Sequence, residues 1–509
     1  MPRERWLIVA SGMELPVSDE SLPVSGRDSA FYPRPRLAYN SAMPHGDPTA
    51  SDRRSGARRP ARGVVARLPA VRPPFSDVPG PFGGRARTDT AFEHQPTPDQ
   101  ERGMRAFWWD GFWANIPETI LINYLGLYII AFGGGTSQVG LMAALSSLFA
   151  ALAFFPGARL VETYGHRKRV VLVTGGGLAR IALFGLVLVP FFSDGNTAVW
   201  IVIALVSIRG FAGYFAVPAW TSLIADLVPL DIRGRFFASR NFGMSLAALA
   251  TAPVAGLILD RYSGLGGWQI VWLIAFGAGA ASTWSYARIP DPAPHADVVA
   301  RERASDQRGV VSDILSDRNF VMYLAGTAAW NVGLQASGPF FNVYLAKNLH
   351  ASGFMIGFLS ALMSVTGLAG LLYFGRMMDI RGTKWLMVVT GLLIPLLPMA
   401  WLFVGEPWHV VFINAPGGVL WAGYQLAMLN MVMIMAPAEK RARYAAAFQT
   451  VAFAGAFAGP LIGGQIIAVI GYKALFVFSG IGRMTGTLII LRFVHTDEGN
   501  AARTPSASV

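Results

Sequence analysis

The sequence predicts an all-α membrane protein in which twelve transmembrane helices form two pseudo-symmetric six-helix bundles. Three observations lead to this fold class: a low content of charged residues, twelve apolar runs of membrane-spanning length, and a repeat that relates the two halves. Only 14% of the 509 residues are charged and 53% are hydrophobic, whereas soluble globular chains carry about 25% charged residues. The chain can therefore fill a bilayer many times, and we exclude a soluble fold.

Apolar runs recur from Phe107 almost to the end of the chain, with short polar breaks between them. A hydrocarbon core about 30 Å thick is crossed by a helix of about 20 residues, and each run is close to that length or longer. We place the twelve spans at 107–131, 137–157, 169–192, 197–224, 237–259, 267–288, 319–345, 353–374, 385–404, 408–435, 444–470 and 474–494.

The chain divides into five regions. The first is a leader rich in Pro, Gly and Arg that lacks an apolar period, which predicts disorder. It is either a basic arm that lies on anionic lipid or contacts a partner, or upstream sequence that is not translated because synthesis begins at Met104. The regions are the leader at 1–103, the first six-helix bundle at 104–290, a cytoplasmic linker at 291–318, the second bundle at 319–495 and a disordered tail at 496–509.

Basic residues are concentrated in alternate loops, which predicts the topology. Cytoplasmic loops of membrane proteins carry an excess of Lys and Arg. Here the basic loops follow the even-numbered spans; the loop after the fourth span, for example, carries Arg233, Arg235 and Arg240. The loops that follow odd-numbered spans contain few basic residues. With an even number of spans, we expect a multi-pass inner-membrane protein whose termini both lie in the cytoplasm.

The second half repeats the first. The segment ARLVETYGHRK at 158–168 aligns with GRMMDIRGTKW at 375–385, and a small residue, an Arg, an acid and a Gly coincide. Farther along, ALATAPVAGL of the fifth span aligns with GAFAGPLIGG of the eleventh, in the same order and at the corresponding place in its half. Two halves of common origin are the simplest explanation, and pseudo-symmetric helical repeats are an architecture of secondary transporters.

These residues resemble the major facilitator superfamily. The loop after the second span is similar to that family's signature, Gly-x-Leu-x-Asp-Arg-x-Gly-Arg-Arg/Lys, with Ala158 at its first position and Glu162 at its acidic position. The resemblance implies that such loops hold neighbouring helices in the outward-facing state, so Glu162 and Asp379 would be gate residues; the alternative is that these basic loops only set topology. The gate-loop candidates are Arg159, Glu162, Gly165, Arg167, Lys168, Gly375, Arg376, Asp379, Gly382 and Lys384.

The eleventh span carries a glycine-rich segment. It is similar to a pattern that antiporters of this family carry in the fifth span, but its strong copy lies in the other half, so we do not infer antiport from it. Small residues four apart on one helix face allow close packing, and a proline inside a helix predicts a kink. The helix-packing candidates are Gly455, Gly459, Pro460, Gly463 and Gly464.

Four ionisable residues fall near the middle of predicted spans, where a charge costs about 2.5–3.5 kcal/mol on insertion scales. The family fold implies that spans one, four, seven and ten line a central cavity, so Glu118 and Arg209 would face it and could pair. This pair is either a proton-carrying site or a salt bridge that fixes helix orientation. For Arg180 and Arg483 we expect snorkelling or a local partner. Asp110 is expected at the cytoplasmic edge of the first span, without a special role.

The seventh and tenth spans offer polar and aromatic side chains to the same cavity. Such a lining suits hydrogen bonding and stacking with a neutral or amphipathic solute, although hydrogen bonds between helices are an equally good explanation for any one of these residues. The candidates are Trp330, Asn331, Gln335 and Asn342 in the seventh span, and Trp421, Tyr424, Gln425 and Asn430 in the tenth.

The sequence favours secondary transport of a small organic solute. It contains no cysteine and no Walker-type phosphate loop, so we expect no ATP-driven pumping, no thiol chemistry, no metal or cofactor and no enzymatic activity. We predict a proton-coupled transporter, with efflux favoured over uptake.

Two alternatives remain. The first is a facilitator or a sugar or organic-acid symporter, in which Arg209 binds solute, and the second is a non-transporting sensor or lipid-handling protein. The expected partners are the solute, protons or other ions and the lipid bilayer, with no nucleic acid, and we expect a monomer.

Overall fold

The computed structural model describes residues 96–496, apart from residue 263, residues 292–313 and residues 438–439. Helices and turns make up these residues, and no strand occurs among them. The predicted leader up to residue 95, most of the predicted linker and the tail from residue 497 lie outside the described residues.

Each half contributes six helices to the described part of the chain. The first half contains α1 Pro98–Ala131, α2 Thr136–Tyr164, α3 Arg167–Phe192, α4 Gly195–Leu227, α5 Leu230–Arg261 and α6 Leu265–Ala287. The second half contains α7 Arg318–Ser337, which continues through a 3₁₀ turn into Phe341–Lys347, then α8 Gly353–Arg381, α9 Thr383–Phe403, α10 Pro407–Met435, α11 Arg441–Val469 and α12 Tyr472–Phe493.

Eleven of these helices are long and apolar enough to cross a membrane. The remaining helix is α7, which matches the predicted seventh span but is interrupted by the turn Gly338–Phe340. Pro339 lies in this turn and has no N–H to donate to a helical hydrogen bond. The predicted set of spans is therefore present in the described residues, with the seventh built from two shorter helices.

The first helix begins earlier than the apolar run predicts. Thr97 caps α1: its Oγ1 accepts from the N–H of Gln100 at 3.2 Å, and Oε1 of Gln100 accepts from the N–H of Thr97 at 2.9 Å. This reciprocal capping box satisfies donors that a bare helix end would leave unpaired. Residues 98–103, which were assigned to the leader, are therefore helical.

The predicted gate loops are mostly helix ends. The helix α2 continues to Tyr164 and α8 to Arg381, so most of the gate candidates lie on helices. Gly165 and Gly382 occupy the turns between helices with φ of 66° and 84°, a left-handed conformation that glycine adopts without a steric cost. These two glycines are aligned with each other in the predicted repeat, and both have a positive φ, although ψ differs between them, at −4° for Gly165 and 161° for Gly382.

The two halves touch through two close helix contacts, and the internal repeat relates one contact to the other. In the contact of α2 with α11, Gly140 lies against the carbonyl of Pro460, and in the contact of α8 with α5, Gly357 lies against the carbonyl of Ala252 and the nitrogen of Pro253. When the alignment of the repeat is extended, Gly357 falls on Gly140 and Pro460 falls on Pro253. A side chain at either glycine would collide with backbone atoms, so the absence of a Cβ atom is what lets the halves meet.

A carboxylate reinforces the α5–α8 contact. Asp260 accepts hydrogen bonds from the N–H groups of Gly353 and Phe354 at 2.6 and 2.8 Å, the first two residues of α8. Tyr124 of α1 donates to the carbonyl of Gly353 at 3.0 Å. These bonds lie at the helix ends away from the gate candidates, so the halves are joined at the end opposite the gate segments.

Replacing Asp260 by Ala should loosen this joint, because a hydrogen bond to a charged group contributes about 1.5–3 kcal/mol. The chain has no cysteine, so a single introduced Val343→Cys, at a buried position beside Gly126, reports on the joint through its rate of maleimide labelling. We expect Asp260→Ala to raise that rate about tenfold or more. Asp194→Ala, at an exposed acid beside the start of α4, is the matched control and should leave it unchanged. Equal rates in both variants would contradict the role of Asp260.

Candidate functional site

A cavity of about 480 Å³ lies within the first half, and all six of its helices contribute to the wall. The helix α3 contains a π-turn at Thr174–Leu178, a local widening that is frequent at functional sites. Glycines of this turn and Gly213 of α4 leave parts of the wall without side chains. The charged residues that line the cavity are Asp110, Glu118, Arg180, Arg209 and Arg240.

Glu118 of α1 and Arg209 of α4 form an ion pair between Oε1 and Nη2. The side chain of Glu118 is 48% exposed and that of Arg209 is 17% exposed, so the carboxylate is the more accessible partner. Tyr214 lines the same cavity and packs against Phe453 of α11, with ring centroids 5.4 Å apart. This side of the cavity therefore borders the second half.

Asp110 and Arg240 form a second, buried pair. Oδ2 of Asp110 lies 3.7 Å from Nη2 of Arg240, and both side chains are less than a tenth exposed. Ser282 donates to Oδ1 of Asp110 at 2.7 Å. Arg240 donates through Nε to the carbonyl of Phe107 at 3.2 Å, and its guanidinium lies 4.2 Å from the centroid of that ring. Arg240 thus contacts a carboxylate, a backbone carbonyl and an aromatic ring, and Asp110 contacts both Arg240 and a serine hydroxyl.

The positions of Asp110 and Arg240 correct two predictions from the sequence. Asp110 was expected to have no special role, but its carboxylate is buried and contacts Arg240 and Ser282. Arg240 was counted as a loop residue, but α5 begins at Leu230. The capping pattern at Thr97 and Gln100 is the sequence signal that could have moved the start of α1.

Two arginines were expected either to snorkel or to have a local partner. Arg180 lines the cavity and donates to Oγ of Ser282 at 3.3 Å and Oγ1 of Thr283 at 3.5 Å. Arg483 is buried and donates to Oγ of Ser337 at 2.9 Å. Among the described residues neither arginine has a carboxylate within salt-bridge distance. Local hydroxyl groups are therefore the partners of both, and neither arginine snorkels.

An aromatic stack occupies the interior of the second half. Trp330 of α7 stacks on Tyr424 of α10, with centroids 4.0 Å apart and an interplanar angle of 11°. It also stacks on Trp421 at 5.5 Å and 19°. Trp330 and Tyr424 are fully buried, whereas Gln425 is exposed. Three of the predicted second-half residues therefore form one aromatic cluster, and Gln425 lies next to it along α10.

The polar candidates of the second half are engaged elsewhere. Asn331 and Asn430 donate to carbonyls four residues earlier in their own helices, at 3.0 and 2.8 Å. Asn342 donates to the carbonyl of Asn123 across the halves at 3.1 Å, and Gln335 lies against Gly459. None of these residues lines the cavity of Glu118 and Arg209, so the structure does not bring all of the predicted site together.

The glycines of α11 face two helices. Gly455, Gly459 and Gly463 lie against α7, whereas Gly464 lies against the start of α2 in the other half. The helix runs through Pro460, whose carbonyl meets Gly140. This segment therefore combines packing inside the second half with contact between the halves.

Contacts within the first half hold one gate candidate in place. Arg167 is buried and donates through Nη1 to Oδ2 of Asp226 at 2.6 Å and to Oγ of Ser222 at 3.1 Å, which ties the start of α3 to α4. Neither partner was among the residues predicted from the sequence. In the second half Arg376 and Asp379 are exposed, and among the described residues Asp379 makes no hydrogen bond or ion pair. The side chain of Glu162 lies outside the described part of the structure.

Two pseudo-symmetric helical halves that meet at one end, with ion pairs inside the bilayer-spanning part, define a multi-pass membrane transport protein. The model of the Major Facilitator Superfamily matches residues 106–341 and 331–508. The chain belongs to this superfamily.

Curated relatives are named for drug resistance. The chain is 25% identical over 399 residues to the multi-drug resistance efflux pump PmrA homolog of Lactococcus lactis subsp. lactis (strain IL1403), a match that covers 75% of this chain and 92% of the relative. It is 24% identical over 393 residues to the multidrug resistance protein MdtG of Serratia proteamaculans (strain 568), with 74% and 90% covered.

Solved transporters share the fold. The nucleoside transporter NupG superposes with a TM-score of 0.60 at 13% identity, covering 79% of this chain and 100% of that one. A D-xylose-proton symporter gives a TM-score of 0.58 at 15% identity, with 79% and 98% covered. A bacterial homologue of the iron transporter ferroportin, in an inward-facing state, gives 0.58 at 14% identity, with 77% and 98% covered.

Replacing Asp110 by Ala should destabilise the protein, because removing one partner of a buried ion pair costs about 3–5 kcal/mol. Thermal melting of the purified protein in detergent measures the effect as a lower melting temperature. The second substitution Arg240→Met in the same chain should restore part of the loss, since no buried cation then remains unpaired. Asp99→Ala is the control, because Asp99 and Arg102 are 73% and 75% exposed and such surface pairs contribute little. An Asp110→Ala variant that melts like the parent would refute this role.

Proposed function

We propose that the protein is a proton-coupled secondary transporter that moves a small organic solute across the inner membrane by alternating access. The observation that carries the proposal is the pair of Glu118 and Arg209, which lies inside the first half where its cavity borders the second. Ionisable groups within membrane helices are costly and usually mark ion or substrate pathways. The carboxylate of Glu118 is 48% exposed and lines the cavity, so a proton can reach it from there.

The pair has two states that differ in charge and in hydrogen-bonding capacity. With Glu118 ionised, Arg209 is neutralised by its partner. When Glu118 takes up a proton the ion pair is lost, and the guanidinium of Arg209 becomes available to another acceptor in the cavity. Proton binding thus changes what the cavity can bind, and a ligand that prefers one of two states shifts the balance between them.

Contacts between the halves support an alternating-access cycle. The glycine contacts at Gly140 and Gly357 and the bonds of Asp260 join the halves at one end. At the other end the gate candidate Asp379 is exposed. We infer a state that is closed at the first end and open at the gate end. With the basic segments in the cytoplasm, the open end faces the cytoplasm, as do both termini.

Two directions of transport are compatible with the pair. The names of the curated relatives favour efflux of drug-like compounds. Symport of an organic acid is the second candidate, and one observation favours it: three arginines but only two carboxylates line the cavity. Proton coupling through Glu118 is common to both.

Glu118→Gln should abolish the response of transport to a pH gradient, since an amide of the same shape cannot carry a proton. A thermal-stabilisation screen of the purified protein identifies a solute, because a specific ligand raises the melting temperature by mass action. Its transport into proteoliposomes is then measured with and without a pH gradient. Glu101→Gln, in the first turn of the same helix, is the control and should behave like the parent. If Glu118→Gln keeps the gradient response of the parent, the proton-coupling proposal fails.

A further inference from the structure

The cavity of the first half is lined by one more arginine than carboxylate. Glu118 neutralises Arg209, and Asp110 lies nearest to Arg240, at 3.7 Å. Arg180 is left without a carboxylate among the described residues. With both acids ionised, the five charged groups that line the cavity sum to one net positive charge inside a membrane-spanning bundle.

The contacts of Arg180 are those of a group held in place but not neutralised. Its Nη2 donates to Ser282 at 3.3 Å and its Nε to Thr283 at 3.5 Å, both long for hydrogen bonds. Ser282 gives its own proton to Asp110 at 2.7 Å, so the one serine hydroxyl links Arg180 to a carboxylate that already faces Arg240. Arginine stays ionised in proteins, and proton loss therefore cannot remove the excess charge.

The space around Arg180 fits a small organic ion. Its volume of about 480 Å³ lies within the range of small-molecule sites. The glycines of the π-turn and Gly213 of α4 keep this space open, and Tyr214 and Trp220 add aromatic surface. Guanidinium groups pair with carboxylate, phosphate and sulfonate oxygens through two parallel hydrogen bonds.

We propose that this cavity binds the oxyanion group of the transported solute, with the guanidinium of Arg180 as its principal ligand and the aromatic wall of α4 beside the apolar part of the solute. The inference rests on the transport function proposed above and names its substrate class as small organic anions. It places the binding site within the first half.

The site also determines the sign of coupling. An anion at Arg180 and a proton on Glu118 favour each other, because each reduces the electrostatic cost of the other in the same cavity. A monoanion and a proton together add no net charge, so the loaded cavity carries the same charge as the empty one. This favours symport of organic acids, the second candidate function, over exchange of protons for solute.

Thermal melting in detergent at constant ionic strength tests the site with benzoate, benzenesulfonate and inorganic phosphate, and with neutral benzamide for comparison. At least one oxyanion should raise the melting temperature of the parent, and benzamide should not. A shift by phosphate alone would mean that the site accepts free phosphate, and would overturn the assignment to organic anions, whereas shifts by the aromatic anions support it.

Arg180→Gln should weaken oxyanion binding at least about tenfold, since it removes a charge-assisted pair. Arg105→Gln, at an exposed arginine of α1, is the matched control and should bind like the parent.

Failure of any oxyanion to shift the parent, or equal shifts in the parent and Arg180→Gln, would overturn the proposal. If Arg180→Gln does not fold, Arg180→Lys replaces it, because lysine keeps the charge but lacks the planar guanidinium. Arg180→Lys should bind the oxyanion several-fold more weakly than the parent, and unchanged affinity would also overturn the proposal. Binding of benzenesulfonate at acidic and neutral pH separates the two proposals. One outcome is oxyanion binding that depends on Arg180 and yet is the same at both pH values and in Glu118→Gln. That result would contradict the proton-coupling proposal and support the anion site.

Discussion

A charge placed in hydrocarbon is costly unless a charged or hydrogen-bonding partner lies nearby, and this constraint organises the first half of the protein. The carboxylate of Asp110 in α1 meets Arg240 from α5 and the hydroxyl of Ser282 from α6. Glu118, about two turns farther along α1, meets Arg209 from α4. One helix thus carries both carboxylates, and the helices around it supply the cations. These pairings add specific contacts to the packing of the apolar faces.

The two halves share an architecture but divide the chemistry. They meet through equivalent glycine contacts, at Gly140 in one interface and Gly357 in the other. Inside, the first half holds the charged cavity, whereas the second half holds the stacked rings of Trp330 and Tyr424. The interior side chains differ: five charged groups line the cavity of the first half, whereas the second half contains the aromatic stack and the buried Arg483. This difference is what the proposed coupling through Glu118 of the first half requires.

Features that depend on local patterns could be predicted from the sequence, and features that depend on contacts could not. Apolar length set the spans, the repeat pointed to equivalent glycines, and depth within two spans placed Glu118 and Arg209. The contact between Asp110 and Arg240 was missed because α5 begins at Leu230, before the predicted span, so Arg240 was counted as a loop residue. Arg180 was expected to snorkel or to have a local partner, and its position in the cavity wall, after the π-turn and beside the hydroxyls of α6, was not predicted. A single sequence does not say which of several available partners a buried arginine will take.

In an alternating-access cycle the halves must separate at the end where they now touch, and a reversible cross-link tests this requirement directly. A Cβ atom at Gly464 would lie 3.3 Å from Cα of Ser137, so cysteines at these two positions are close enough to form a disulfide. The chain has no other cysteine, so Ser137→Cys with Gly464→Cys can form only this bond. Oxidation should stop solute transport in proteoliposomes, and reduction should restore it. Transport at the same rate with the disulfide fully formed would contradict the alternating-access mechanism.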